Sequence, residues 1–183
     1  LISPLGNISE IELGVPVSIN IENGIAAIAL AQIAGATPDE IREGMKTFQG
    51  VDRRFDFKMK SDKVVLLSDY AHHPAEVRQS ILSVREVFDG RRITGIFQPH
   101  LYTRTRDFYR EFAESLSLLD EAILLDIYPA RELPIEGVSS KLIYDHLRAD
   151  MKKHLCDKSA LLPLLKQEET DVVMVLGAGD VDA

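Results

Sequence analysis

Two short stretches place side chains capable of chemistry at close spacing. The first, Ser68-Asp69-Tyr70-Ala71-His72-His73-Pro74, follows the apolar run 64–67 and offers a hydroxyl, an acid, a phenol and two imidazoles within six residues. The second, Phe97-Gln98-Pro99-His100-Leu101-Tyr102-Thr103-Arg104-Thr105-Arg106, repeats the layout with one imidazole and two guanidinium groups. An acid directly after an apolar strand, as at Asp69, can accept from ribose hydroxyls or ligate a metal, and it can equally cap a turn. Arg104 and Arg106 stand near the start of a helix, where cations oppose the macrodipole. An anion at that point would meet free backbone N–H groups as well as guanidinium groups. The alternative for Arg106 is a surface pair with Asp107 or Glu111. Tyr70 and Tyr102 can stack on a base or roof a pocket. His73 falls at the N-cap of a helix opening on Pro74, a place histidine does not favour. Glu76, at the third helical position, suits the dipole there.

The elements around these stretches alternate. Residues 55–60 alternate apolar and polar, which is strand period. Residues 64–67, 92–97, 122–127 and 172–176 read as buried strands. Residues 74–88 and 105–119 read as helices, the second aligning Phe108, Phe112, Leu116 and Leu119. Residues 139 to about 153 read as a helix, 154–157 as a short strand and 159–166 as a short helix. Strands alternating with helices predict an α/β fold: a mainly parallel, Rossmann-like sheet with helices on both faces. The loops after its strands then share one edge, and the polar and aromatic residues collect there. Ahead of it, Pro16 restricts Val15 to extended backbone. An alanine-rich helix from Asn20 stops at Gly35, and Thr37-Pro38-Asp39-Glu40 is a capping box that opens a helix to about Thr47. Residues 1–50 are therefore expected to be the helical end of one domain, and 51–183 a second domain cut short. The chain begins at Leu1 and stops just after Gly177-Ala178-Gly179, so a fragment of a longer protein is expected.

Composition bounds the function. A net charge of -8 on 183 residues argues against a nucleic-acid-binding face, which needs a clustered basic excess. The single cysteine, Cys156, excludes an intrachain disulfide and a metal site built on thiolates. No apolar run approaches the ~20 residues of a membrane-spanning helix, and no signal peptide is visible, so a reducing cytoplasm is expected. His72, His73, His100 and Asp126 lack metal-site spacing, and no metal is assigned to them. Gly-Ala-Gly after a strand is a weak dinucleotide fingerprint, and no Gly-x-x-x-x-Gly-Lys-Ser/Thr phosphate loop occurs in the chain.

The two loops together closely resemble those of the Mur ligases. Asp69-Tyr70-Ala71-His72-His73-Pro74 matches the family's C-terminal domain. The double histidine and the Gln98-Pro99-His100…Tyr102-Thr103-Arg104-Thr105 loop point to its alanine-adding branch. Gly50-Val51-Asp52-Arg53-Arg54-Phe55, Ile127-Tyr128-Pro129-Ala130-Arg131-Glu132 and Gly177-Ala178-Gly179-Asp180 extend the resemblance over residues 20–180. It implies an ATP-dependent amide ligase of peptidoglycan synthesis that joins L-alanine to UDP-N-acetylmuramate through an acyl phosphate. It also implies that residues 1–50 are the C-terminal end of a central ATPase domain whose missing part would mainly hold Mg2+, and that the N-terminal UDP-sugar domain is absent. By matching position, Asn20 and Asn23 would contact adenine, and Arg54 and Asp69 the nucleotide. Tyr70, His72, His100 and Arg104 would line the place where amino acid and acyl phosphate meet. His72, His100 and Arg104 are the catalytic candidates. Ile19 stands where many members carry a base-contacting histidine, and Leu101 where many carry a polar residue. Two other readings remain: a metal-dependent hydrolase using Asp69, His72, His73 and His100, and a non-catalytic nucleotide-binding module.

Overall fold

The computed structural model describes residues 1–15, 18–167 and 169–181, with the side chains of Ser18 and Ile19 left aside. Of the extended stretch expected at Val15-Pro16-Val17, Pro16 and Val17 lie outside that description, as does the side chain of Ile19. The chain forms two units, Leu1–Val51 and Asp52–Ala183.

In the first unit, α1 (Ser18–Ile33) and α2 (Pro38–Thr47) enclose a small core of Ile8, Ile28 and Ile41. The capping box forms as expected: Thr37 accepts from the Glu40 N–H and the Glu40 carboxylate accepts from the Thr37 N–H. Gly24 lets α1 approach α2, since a Cβ there would lie 3.0 Å from Met45 Cε. Ile21, Ile25, Leu30 and Ile33 of α1 stay exposed.

The second unit is a six-stranded sheet in the order β1-β2-β6-β3-β4-β5. The strands are β1 (Asp56–Lys60), β2 (Val65–Asp69), β3 (Ile93–Phe97), β4 (Glu121–Leu124), β5 (Lys152–Leu155) and β6 (Val172–Leu176). β1 is antiparallel to β2, with a register shift between Phe57 and Met59, and every other pair is parallel. All five residues of β3 are buried, as a central parallel strand with both faces covered requires. One face carries α3 (Pro74–Val87) and α4 (Tyr102–Leu116), which bury Val77, Ile81, Val84, Phe112 and Leu116. Phe112 meets Phe97 there at 5.1 Å between ring centres. On the other face Ile96, Ile123, Leu125 and Val173 pack under Leu161, Leu164 and Leu165 of α6 (Lys158–Leu165).

Three elements differ from expectation. β2 runs on through Ser68 and Asp69, because parallel pairing with β6 continues to Asp69↔Leu176; the acid is therefore the last strand residue and not a loop residue. α4 begins at Tyr102, three residues early, and breaks at Phe108 (φ -124°, ψ 16°), so Phe108 leaves the buried stripe of Phe112 and Leu116. The helix expected over 139–153 is only α5 (Lys141–His146), since residues 152–155 pair with β4 as the edge strand. Tertiary pairing overrides local helix propensity there.

Candidate functional site

Because β2, β6, β3 and β4 are parallel, their following loops emerge on one edge of the sheet. The sequence-predicted residues of the second unit gather there. Asp69 ends β2 with its carboxylate anchored: the Ser80 hydroxyl donates to Oδ2 at 2.7 Å and the Ala71 N–H to Oδ1 at 3.2 Å. Burial pushes the Asp69 carboxyl above the usual range, opposed by these two donors and by the charge of Arg54. Arg54 itself is exposed.

From Asp69 onward four rings form a row. The Tyr70 ring meets His72 edge-on at 5.2 Å, and His72 meets His100 at 6.2 Å. His100 stacks on Tyr128 at 5.6 Å with planes 18° apart. His72 Nδ1 lies 2.9 Å from the Tyr70 carbonyl and 3.4 Å from Glu76. Arg104 lies in the first turn of α4, and its Nη1 reaches the His72 carbonyl at 3.5 Å, which ties the second loop to the first. Burial, then the charges of Arg104 and His72, hold the His100 imidazole below its usual range, against the pull of Glu132. These influences favour the neutral imidazole at His100. Its buried Nδ1 has no hydrogen-bond partner among the described residues.

His73 does not join this row. Its ring packs on Phe108 at 5.1 Å, where α4 is kinked, while its N–H and that of His72 both donate to Glu76. The cap of α3 is thus Glu76 reaching back, which explains why a histidine is tolerated at the N-cap. Arg106 pairs with Asp107 at 2.7 Å, the surface alternative. Among the described residues no three His, Cys, Asp or Glu side chains gather in a group able to hold a metal. With His73 on Phe108 and Asp69 bonded to Ser80, the metal-hydrolase constellation does not assemble. The anion position at the start of α4 is filled from within: Glu132 accepts from the Thr103 N–H at 3.0 Å. Asn20 and Asn23 lie three apart on α1 in the first unit, Asn20 donating to the Val15 carbonyl at 3.2 Å and Asn23 exposed.

One residue at this edge escaped sequence reasoning. Arg53, next to the exposed Arg54, donates to the Gly177 and Gly179 carbonyls at 3.1 and 2.9 Å, and lies 4.9 Å over the Tyr70 ring. Its carbonyl also accepts from the Tyr70 N–H. Arg53 therefore holds the loop after β6 to the loop after β2. Two adjacent arginines carry no signal of which one turns inward; here a backbone φ of 59° at Arg53 decides it. Leu101 (φ 76°) and Ala130 (φ 50°) share a positive φ at the same edge, a clustering of backbone strain common at functional sites. The loop after β6 is fixed further by Gln98, which donates to Asp180 at 3.1 Å, and by Lys158, paired with Asp180 at 2.8 Å.

A mainly parallel α/β sheet whose strand-end loops assemble imidazoles, a guanidinium group and a half-buried carboxylate has the layout of α/β domains that bind ligands at their strand ends. The chain belongs to the Mur ligase family: the family's glutamate ligase domain matches residues 53–179. The UDP-N-acetylmuramate–L-alanine ligase of Phocaeicola vulgatus is 65% identical over 181 residues, covering 99% of this chain and 40% of that protein. The enzyme of the same name from Parabacteroides distasonis is 59% identical over 181 residues, covering 99% of this chain and 39% of that protein. Among solved structures, the UDP-N-acetylmuramate-alanine ligase of Thermotoga maritima aligns with a TM-score of 0.78 at 29% identity, over 93% of this chain and 37% of that one. The chain thus spans about 40% of the length of the curated relatives it matches.

Proposed function

We propose that this chain is the amino-acid-binding and nucleotide-closing part of an ATP-dependent ligase that adds L-alanine to UDP-N-acetylmuramate in peptidoglycan synthesis, in the cytoplasm. The observation that carries the reading is the convergence of Tyr70, His72, His100 and Arg104, from two separate loops, on one sheet edge. In this reading the muramyl carboxylate takes the γ-phosphoryl group of ATP, releasing ADP. The alanine amine then attacks the acyl carbon, and phosphate leaves as the amide forms. Arg104, whose hydrogen bond among the described residues is the long one to the His72 carbonyl, can hold a carboxylate or the acyl phosphate. The depressed basicity of His100 favours a neutral ring, which can take a proton from the alanine ammonium so that the free amine attacks. Tyr70 and His72 wall the position of the amino acid.

Asp69 fits a ribose: a carboxylate has about four acceptor positions, of which Ser80 and Ala71 take two. Arg54 stands beside it for the phosphates. The roles of Asn20 and Asn23 toward adenine, and of residues 1–50 as the end of a central ATPase domain, rest on the resemblance. Mg2+ would neutralise phosphate charge from ligands elsewhere in the full-length protein. The partners in this reading are UDP-N-acetylmuramate, L-alanine and the remaining domains of the ligase.

The test is ADP release by the full-length protein with ATP, UDP-N-acetylmuramate and L-alanine. Arg104→Ala is expected to slow turnover by about 100-fold or more, the scale for losing one charge-stabilising donor. Unchanged turnover would make this edge a non-catalytic module.

A further inference from the structure

The loop after β4 carries an acid whose role neither the sequence nor the family resemblance assigned. Glu132 accepts the Thr103 N–H on Oε2 at 3.0 Å and the Thr103 hydroxyl on Oε1 at 2.5 Å. Thr103 is the second residue of α4, so the carboxylate caps a free N–H of the first turn and complements the dipole there. Four residues upstream, Tyr128 meets the loop after β3. Its carbonyl accepts from the Leu101 N–H at 3.0 Å and its N–H donates to the Pro99 carbonyl at 2.8 Å. Its ring is the one stacked on His100. Between the two, the backbone turns through Ala130 at φ 50°, closed by the Glu132 N–H on the Pro129 carbonyl at 2.9 Å. An alanine in that conformation is held only when its surroundings over-determine it.

We propose that Glu132 is a positioning residue for His100. By tying the loop after β4 to the first turn of α4, it keeps Tyr128 flat against the imidazole. The tie joins the helix that carries Arg104 to the loop that carries Tyr128, with His100 between them. The charged and titratable groups facing His100 are Arg104 from α4, His72 from the loop after β2, and Tyr128 and Glu132 from the loop after β4. Of these, Arg104 and His72 disfavour the imidazolium, and Glu132 favours it. The proposal takes from the preceding section that His100 faces substrate. Its test reads the ring directly and needs no turnover, so the two can fail separately.

The experiment is NMR of the His100 ring in the 183-residue chain. Glu132→Ala is expected to remove the ring-current displacement that Tyr128 imposes on the His100 protons, and to move the imidazole midpoint to lower pH. Glu132→Gln keeps an acceptor for Thr103 but no charge; the ring-current shift should remain while the midpoint falls. Thr103→Val should weaken the ring-current shift with the charge intact, and Thr103→Ser should restore it. A Glu132→Ala chain with unchanged core methyl signals, ring-current shift and midpoint overturns the proposal. If Glu132→Ala does not fold, an unchanged midpoint in Glu132→Gln together with an unchanged ring-current shift in Thr103→Val overturns it equally.

Discussion

The two edges of the sheet in the second unit use the same kinds of side chain to opposite ends. At the edge where the parallel strands begin, Glu121 of β4 is 0% exposed and ringed by cationic side chains. Arg92 meets it at 3.0 Å, the Thr94 hydroxyl at 3.2 Å, His154 at 3.1 Å and Lys152 at 3.7 Å. These groups come from β3, β4, β5 and the residue before β3, and they stitch the edge strand β5 to the sheet. At the edge where the strands end, histidine, arginine and acid are again within reach of one another, but the network is left open. Among the described residues Arg104 makes a hydrogen bond of 3.5 Å to a carbonyl, and Tyr70, His72, His100 and Arg104 all stay half-exposed. Left-handed backbone at Arg53, Leu101 and Ala130 lies at the second edge. The first edge turns its charges onto a buried acid, whereas the second leaves its rings and guanidinium group half-exposed. Residue type alone does not distinguish the two.

The sharpest break of that comparison is Arg92→Ala. It leaves Glu121 buried with its strongest partner gone, and removing one partner of a buried pair costs about 3–5 kcal/mol. Lys152 and His154 remain near the carboxylate, so the lower end, about 3 kcal/mol, is expected from denaturant midpoints at unchanged slope. Replacing both Arg92 and Glu121 by leucine should recover most of the loss, since no buried charge is then stranded. If Arg92→Ala alone left stability intact, the network at this edge would not be structural.

The contrast also shows what could be read from the chain beforehand. The apolar runs that became β2, β3 and β6 were legible because central parallel strands are hydrophobic throughout. The loops at 70–73 and 98–104 were legible because they are short and carry reactive types next to those runs. Glu121 was not: an acid at the head of an apolar strand looks like an ordinary polar end, and only three-dimensional pairing shows that Arg92, Thr94 and His154 surround it. Arg53 was hidden by its neighbour Arg54, and Glu132 by lying 29 residues from Thr103, the residue it binds. Helix ends at Tyr102 and His146 shifted for the same reason, since Leu101 is bound to Tyr128 and β5 to β4. Long-range partners leave no local trace.

A second test sharpens the ligand edge. A Cβ on Gly179 would lie 2.4 Å from Gln98 Oε1 and 2.8 Å from Tyr128 Cγ. Gly179→Ala must therefore push apart the loops after β6, β3 and β4, at a cost of about 1–3 kcal/mol. Chemical-shift changes should centre on Gln98, Tyr128 and His100 and spare the Glu121 network. Gly44→Ala is the control: it meets nothing within 4 Å on α2 and should gain about 0.5–1 kcal/mol. Equal effects of the two would mean that the three loops are not interlocked.

The smallest effect is expected at Asp69, where the two roles meet in one side chain. Burial raises its carboxyl pKa in the folded chain. Such a group contributes stability that is fully present below its unfolded pKa and lost as pH rises through the higher folded value. At pH 7 the ionised Asp69 therefore works slightly against the fold. Asp69→Asn can still accept from the Ala71 N–H through its carbonyl and donate its amide to the Ser80 oxygen, so it should be at least as stable as the parent at pH 7. That advantage should shrink as pH falls toward the carboxylate range, when the parent protonates too. On the ribose role proposed for Asp69, the same change in the full-length protein should weaken nucleotide binding, because the amide offers fewer acceptors. Thermal unfolding at pH 7 and pH 4 separates the outcomes. A loss at pH 7 comparable to that of Arg92→Ala would place Asp69 with Glu121 among the structural acids, since an acid kept for a ligand is one the fold can spare.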